Sequence, residues 1–399
     1  MSLFRMALIL GLLSAVGPFA IDMYLPAMPS LAASLGVNET AAQLTLTSYF
    51  IAFGLAQLVY GPWSDQAGRK RPLFAGLAIF IAGSVVCAVA PSIGILAAGR
   101  AVQGIGGAVL MVVPRAVIRD MHTGTAATKM MAMVMLVISV SPMLAPLAGS
   151  GLIQLGDWRL IFWVLCSAAV VALLITRFAL PETLAHENRQ PIHFASLWAG
   201  TKVLFSDPIF MGLTFIGGFG MASFFVFIAS AAFVYVEQFG LTPTGFSVAF
   251  AINAIGFFAA SQAAGPLGER VGIVPLMRWG VMGFAGFTLA LLALTLAGFV
   301  SLYLVVAMLF LANACLGVVI PTTMVMALDP HGKIAGLASS LGGTLQMVAG
   351  GVMIAVTGLF FDGTALPMIA AIALCAVCAA ALALLTLGRI TRAQTAPVL

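Results

Sequence analysis

Apolar residues fill this chain in long runs separated by short polar breaks. The first six runs lie near 4–28, 41–62, 72–90, 93–117, 128–154 and 158–179. A more polar stretch from Pro181 to Asp207, with Glu182, Glu187, Arg189 and Lys202, interrupts the series. Six more runs follow near 208–234, 243–267, 272–297, 300–325, 333–359 and 366–388. A helix crossing the hydrocarbon core of a bilayer needs about 20 mainly apolar residues, and each run meets that length. The pattern predicts an all-α integral membrane protein of twelve spans. A first six-helix bundle is expected over 1–183, a cytoplasmic linker over 184–206 and a second bundle over 207–399. The first run holds Asp22 and has no small-residue cleavage pattern, so it is expected to be a permanent helix and not a signal peptide.

Composition agrees. Of 399 residues 62% are apolar and 7% charged, whereas soluble chains carry roughly a quarter charged residues. Most of the surface therefore faces lipid. The net charge of +5 raises the question of an anionic partner, but the placement of the charges answers it. With the N-terminus in the cytoplasm, Arg5, Arg69, Lys70, Arg71, Arg115, Arg119, Lys333 and Arg392 all fall on the inner side and only Arg159 in an outer loop. This is the Lys/Arg asymmetry that orients membrane proteins, and it puts both termini in the cytoplasm. No basic residues cluster with aromatics on a soluble segment, which excludes nucleic acid. The Cys375-x-x-Cys378 pair lies mid-helix without a second pair or a nearby His, so it reads as apolar filler and no metal or cofactor is expected. No hydrolase or metalloprotease motif falls within a span, which argues against an enzyme.

The halves echo each other. Gly61-Pro62-Trp63-Ser64-Asp65-Gln66-Ala67-Gly68 follows the second run and Gly265-Pro266-Leu267-Gly268-Glu269-Arg270-Val271-Gly272 the eighth. A parallel six-helix repeat of this kind puts a substrate site between the halves near mid-bilayer. Gly61 and Gly68 are expected to form a tight cytoplasmic turn. Asp65 is expected to accept hydrogen bonds from the helix N-terminus near Lys333, and Arg69 to pair with Asp120. The functional reading is a conformational latch; the plain alternative is an ordinary charged turn.

Two charges fall inside spans. Asp22 is about 18 residues, or roughly 27 Å, into the first helix, and Arg100 about 7 residues, or roughly 10 Å, into the fourth. A charge at such depth is costly unless paired or facing water, and so marks function by default. Asp22 and Arg100 are expected to face each other across the central cavity. Desolvation and a nearby guanidinium pull proton occupancy in opposite directions, so small movements of Asp22 would load or release a proton. The competing reading is a fixed structural ion pair. Arg115 guards the inner mouth of the cavity or snorkels to headgroups. Pro142 and Pro146 break the fifth helix twice. Candidate substrate contacts are Asp22, Tyr49, Phe53, Arg100, Phe219, Asn253 and Gln346, because aromatics with a few polar groups suit amphiphilic ligands. The second half holds no obvious acidic residue within a span, which favours a neutral or singly charged cargo.

These motifs carry a resemblance. Residues 61–72 resemble the signature loop of the major facilitator superfamily. Leu96-x-x-x-Arg100-x-x-Gln103-Gly104-x-Gly106-Gly107-Ala108 is similar to the fourth-helix motif of its proton-coupled members. Ser141-Pro142-Met143-Leu144-Ala145-Pro146-Leu147-Ala148-Gly149 resembles the fifth-helix antiporter motif, with Ala145 where glycine is commoner. Gly156-Asp157-Trp158-Arg159 and Pro181-Glu182-Thr183 match the ends of the sixth helix. Asp22-x-Tyr24-Leu25-Pro26-x-x-Pro29 and Arg115-Ala116-x-x-Arg119-Asp120 resemble the bicyclomycin and chloramphenicol resistance branch. Gln66 replaces the arginine common in relatives, which implies a weaker latch. The resemblance implies two six-helix bundles related by pseudo-twofold symmetry, working as a monomer in a bacterial inner membrane. It implies export of small drugs in exchange for protons, with a fifth-helix bend, centred on Pro142, Pro146 and Gly149, that blocks leak. The alternative is a proton-linked transporter of a sugar or amino acid, although these helices are poor in the polar side chains that sugar sites need.

Overall fold

The computed structural model describes residues 3–122, 124–189 and 194–395, and no strand occurs among them. Twelve of its helices are long and apolar enough to cross a membrane. The first span is made of two pieces, α1 (Leu3–Asp22) and α2 (Met28–Leu35). Then come α3 (Glu39–Ala67), α4 (Lys70–Ala88), α5 (Ile93–Met121), α6 (Gly124–Leu155) and α7 (Arg159–Phe178). The segment expected as a polar linker contains a further helix, α8 (Phe194–Ser206). The remaining spans are α9 (Pro208–Phe233), α10 (Pro243–Val271), α11 (Ile273–Leu296), α12 (Leu302–Leu328), α13 (Ala335–Gly358) and α14 (Ala365–Thr395). A π-helical turn, Val234–Gln238, extends α9. Local chemistry sets several starts: Asn38 Oδ1 accepts from the Ala41 N–H (2.9 Å) and Asp207 Oδ1 from the Ile209 N–H (2.8 Å), satisfying otherwise orphaned donors.

The glycine–proline motifs are not turns. α3 runs straight through Gly61 and Pro62, and α10 through Pro266. A side chain at Gly61 would meet nothing within 4 Å, so Gly61 makes no turn and packs no neighbour. The break falls at Gly68 (φ 88°) and at its repeat counterpart Gly272 (φ 87°). These left-handed backbones are where glycine is needed. The side chains of Lys333 and Arg392 lie outside the described residues.

The chain divides into two compact units, one of residues 1–193 with 242–250 and one of residues 194–241 with 251–399. Within the first, α1 packs on α6, α3 and α4 on α5, and α4 on α7. Within the second, α9 packs on α13 and α14, α11 on α12, and α11 on α14. In spanning order three of these partnerships recur: first with fifth, third with fourth, third with sixth. Close approach in each unit uses glycine, since small residues let helix backbones meet in lipid. A Cβ on Gly104 of α5 would overlap the Tyr49 carbonyl oxygen, and one on Gly317 of α12 would overlap that of Phe257.

Candidate functional site

The first span breaks at the carboxylate. α1 ends on Asp22, the chain passes through a 3-10 turn at Leu25–Ala27, and helix resumes at Met28. Pro26 accounts for the break: it has no N–H to give, and its ring would press on the carbonyl four residues back, that of Asp22. The freed segment is held by side chains. Thr45 Oγ1 donates to the Ala42 carbonyl (2.6 Å), so the Tyr24 hydroxyl, 2.8 Å from the same oxygen, is the donor to Thr45. On the other side sits Gly149, where a Cβ would overlap the Met23 carbonyl oxygen and lie 3.1 Å from Pro26 Cγ. The last glycine of the fifth-helix motif is thus the seat of the broken first span. Nearby, Ser247 donates to the Pro146 carbonyl (2.9 Å).

Arg100 is fully buried and sits in an aromatic cage. Its Cζ lies 4.4 Å from the Tyr49 ring centre, 4.9 Å from that of Tyr24 and 5.9 Å from that of Phe162. Ring faces attract a cation at this range. Nη1 donates to the Ala20 carbonyl (3.0 Å) and to Gln103 Oε1, and Gln103 Nε2 donates on to Ser84 (2.8 Å). The fixed Asp22–Arg100 ion pair, the competing reading, is not formed. Arg100 bonds the backbone two residues before Asp22, and its Nε and Nη2 have no partner. Asp22 is 4% exposed and is in none of the ion pairs among the described residues. Ring faces, the Ala20 carbonyl and Gln103 are the contacts the guanidinium makes instead.

At the far end of α5 a second charged cluster ties three helices. Arg69, 4% exposed, donates from Nε and Nη2 to both Asp120 oxygens (2.7 and 2.9 Å), a bidentate geometry of the strong kind. Its Nη1 donates to Asp65 (2.6 Å) and Ser64 (2.9 Å). Burial works to lower the Arg69 pKa, but the bonds to Asp120 and Asp65 carry it above the ordinary guanidinium value. Glu182 then caps α4 by accepting from the backbone N–H groups of Arg69 (2.8 Å) and Lys70 (3.1 Å), and Thr183 donates to Asp120 (2.9 Å). Glu182 and Thr183 were visible as a motif, but nothing in the sequence pointed to these partners, 113 and 112 residues away for Glu182 and 63 for Thr183. Gly68 is crowded too: a Cβ there would lie 2.8 Å from Glu182 Oε2.

In the second unit Asn253 is buried and accepts from Asn313 Nδ2 (3.3 Å). Asn313 escaped attention, yet a signal existed: Asn313-x-x-x-Gly317 repeats the spacing of Arg100-x-x-x-Gly104. Of the seven candidate substrate contacts, Asp22, Tyr49, Phe53, Arg100 and Asn253 are buried, while Phe219 and Gln346 keep open surface. Gln346 stands beside Gly217 of α9 with Thr323 of α12. Arg115 is half-buried.

Comparison with known proteins agrees with this architecture. The family model for the Major Facilitator Superfamily matches residues 10–354. A bicyclomycin resistance protein homolog of Haemophilus influenzae is 30% identical over 92% of both chains. Multidrug resistance protein D of Escherichia coli is 31% identical over 88% of this chain and 87% of its own. A chloramphenicol resistance protein of Pseudomonas aeruginosa is 29% identical over 74% of this chain and 69% of its own. Solved structures share the fold at lower identity. The peptide transporter POT superposes with a TM-score of 0.77 at 14% identity, over 97% of this chain and 94% of that one. A D-xylose-proton symporter does so with 0.74 at 16%, over 97% of each.

Proposed function

This chain belongs to the major facilitator superfamily, within its bicyclomycin and chloramphenicol resistance branch, and on that premise we propose that it expels small amphiphilic antibiotics in exchange for protons. The relatives' names support the cargo class: bicyclomycin, chloramphenicol and multiple drugs. The Lys/Arg asymmetry supports an inner-membrane chain with both termini in the cytoplasm, and a complete pair of six-helix sets in one chain supports action as a monomer.

One observation carries the coupling: Asp22 is 4% exposed, at a helix break, with no ion pair among the described residues. A carboxylate at that depth without a cation in contact is neutralised by a proton. The fixed-pair alternative for Asp22 loses its partner, because Arg100 is held by ring faces and a carbonyl. Arg100 supplies a positive field close by, so a shift of the Met23 turn towards or away from it changes how readily Asp22 gives up its proton. Cargo arriving from the cytoplasm favours release on one side and the outward step on the other. The cluster of Arg69, Asp65 and Asp120 with Gly68 acts as the cytoplasmic latch, without Gly61. Pro142, Pro146 and Gly149 shape the fifth span around the Asp22 break and keep protons from passing without cargo. Phe219 and Gln346, with open surface, are the first cargo contacts.

The test is gradient-driven accumulation of labelled chloramphenicol in everted membrane vesicles. Wild type should accumulate it when the interior is acid, and Asp22→Asn should not, with equal amounts of each protein in the membrane. Full accumulation by Asp22→Asn removes the coupling role. Movement in the opposite sense under the same gradient favours a metabolite importer instead.

A further inference from the structure

The second unit contains an amide, that of Gln346, which makes no hydrogen bond among the described residues, at a place built to leave room for it. Gly217, on α9, is where the room comes from: a Cβ there would lie 2.8 Å from Gln346 Nε2 and 2.9 Å from Thr323 Oγ1. At the next residue, Gly218, a Cβ would lie 3.8 Å from Phe215 Cδ1 and 3.9 Å from Gln346 Cγ. Two successive glycines thus let an amide from α13 and a hydroxyl from α12 converge on the bare backbone of α9.

The hydrogen bonding is incomplete in a specific way. Thr323 donates its proton to the Ile320 carbonyl (2.9 Å), which leaves its oxygen as an acceptor. The Gln346 side chain, with two N–H donors and one acceptor, makes no hydrogen bond among the described residues. The buried amides of this unit behave differently, since Asn253 and Asn313 bond each other. Gln346 instead keeps part of its surface open. A polar amide in a span ordinarily faces another helix or a cavity, and one left open without a partner is poised for a ligand. Its surroundings are aromatic and neutral. α9 is buried along most of its length, and its open stripe carries Met211, Phe215 and Phe219, with the two rings 6.4 Å apart. No Asp, Glu, Lys or Arg is among the buried residues of this unit that are described.

We propose that Gln346 and Thr323, converging over Gly217, form the polar subsite that selects an uncharged cargo carrying both hydrogen-bond acceptors and hydroxyl or amide donors. The inference rests on the export reading above and names the chemistry of its cargo. Gln346 donates to a carbonyl or ether oxygen of the cargo, Thr323 accepts from its hydroxyl or amide N–H, and the Phe215 ring covers an apolar flank. A charged group has no counter-ion in this subsite and is excluded by its desolvation cost.

Gly217→Ala is an informative probe, because its new methyl meets only the ends of two side chains, which can move without disturbing the backbone. The full chain in lipid nanodiscs is titrated with labelled chloramphenicol, an uncharged compound bearing an amide and hydroxyls. Gly217→Ala and Gln346→Leu should each weaken binding about three- to tenfold, the worth of one or two neutral hydrogen bonds. Combining them should cost less than the product of the two separate losses, because the new methyl presses on the same Gln346–Thr323 pair that Gln346→Leu already disables. Binding by wild type with no loss in Gly217→Ala, or with losses that multiply in the double variant, overturns the subsite and leaves the export reading standing. No binding and no export by wild type overturns both.

Discussion

The two six-helix sets share their packing and differ in what they bury. Asp22, Arg69 and Arg100, the three charged side chains buried among the described residues, all belong to the first set. The second set buries Ser, Thr and Asn in their place. Matching positions make the contrast plain. Arg100 and Gly104 on the fourth span are answered on the tenth by Asn313 and Gly317, and both glycines lie against a carbonyl of a neighbouring span. Arg100 meets ring faces and a backbone oxygen, whereas Asn313 meets a second amide. Gly149 seats the Met23 carbonyl of the first span, and Gly350 the Phe225 ring of the seventh. Duplication preserved where backbones approach, since that is fixed by volume, and let chemistry diverge in the space between. On the proposed reading the first half handles the proton and the second the cargo.

That contrast can be broken by substitution. The largest effect is expected at Arg69. Arg69→Ala leaves Asp120 without its bidentate partner, and breaking a buried pair costs about 3 kcal/mol. Its repeat counterpart Ile273, half-buried and uncharged, should cost well under about 1 kcal/mol when changed to Ala. Thermal unfolding of the two purified variants compares them, and equal losses would mean the latch adds nothing. Gly149→Ala comes next, at about 2 kcal/mol, because the methyl drives into a carbonyl that moves only with its backbone. Gly350→Ala should cost less, since a phenyl ring can pivot on its torsions. A larger loss at Gly350 would show that the broken first span is not the more tightly seated of the two. The smallest effect is expected for Asn313→Ala, about 0.6 kcal/mol, the typical worth of an interhelical side-chain bond in lipid. It should leave the pH dependence of export untouched; a shifted pH profile would place proton handling in the second half as well.

Much of this was legible in the chain. Twelve apolar runs became twelve spans with limits off by up to seven residues, because hydropathy over 20 residues is a local property while helix ends are set by neighbours. Arg69 and Asp120 carried a recognisable charge pattern and do bond. The turn at Gly61 was misread, since a GP pair looks like a break, although α3 carries Pro62 within it and only Gly68 needs a left-handed backbone. Charge and depth along the spans singled out Asp22 and Arg100, but the aromatic residues around Arg100 gave no hint of the cage they form.

The amino-acid sequence by itself determined the membrane class, the span count, the six-plus-six division and the identity of the buried charges, because each follows from composition within a short window. Tertiary structure alone decided what the polar and charged side chains touch: ring faces for Arg100, no cation for Asp22, a helix N-terminus for Glu182, bare glycine for Gln346. Contacts of a few ångströms between residues dozens to hundreds of positions apart depend on how helices pack, and packing is set by all the side chains at once.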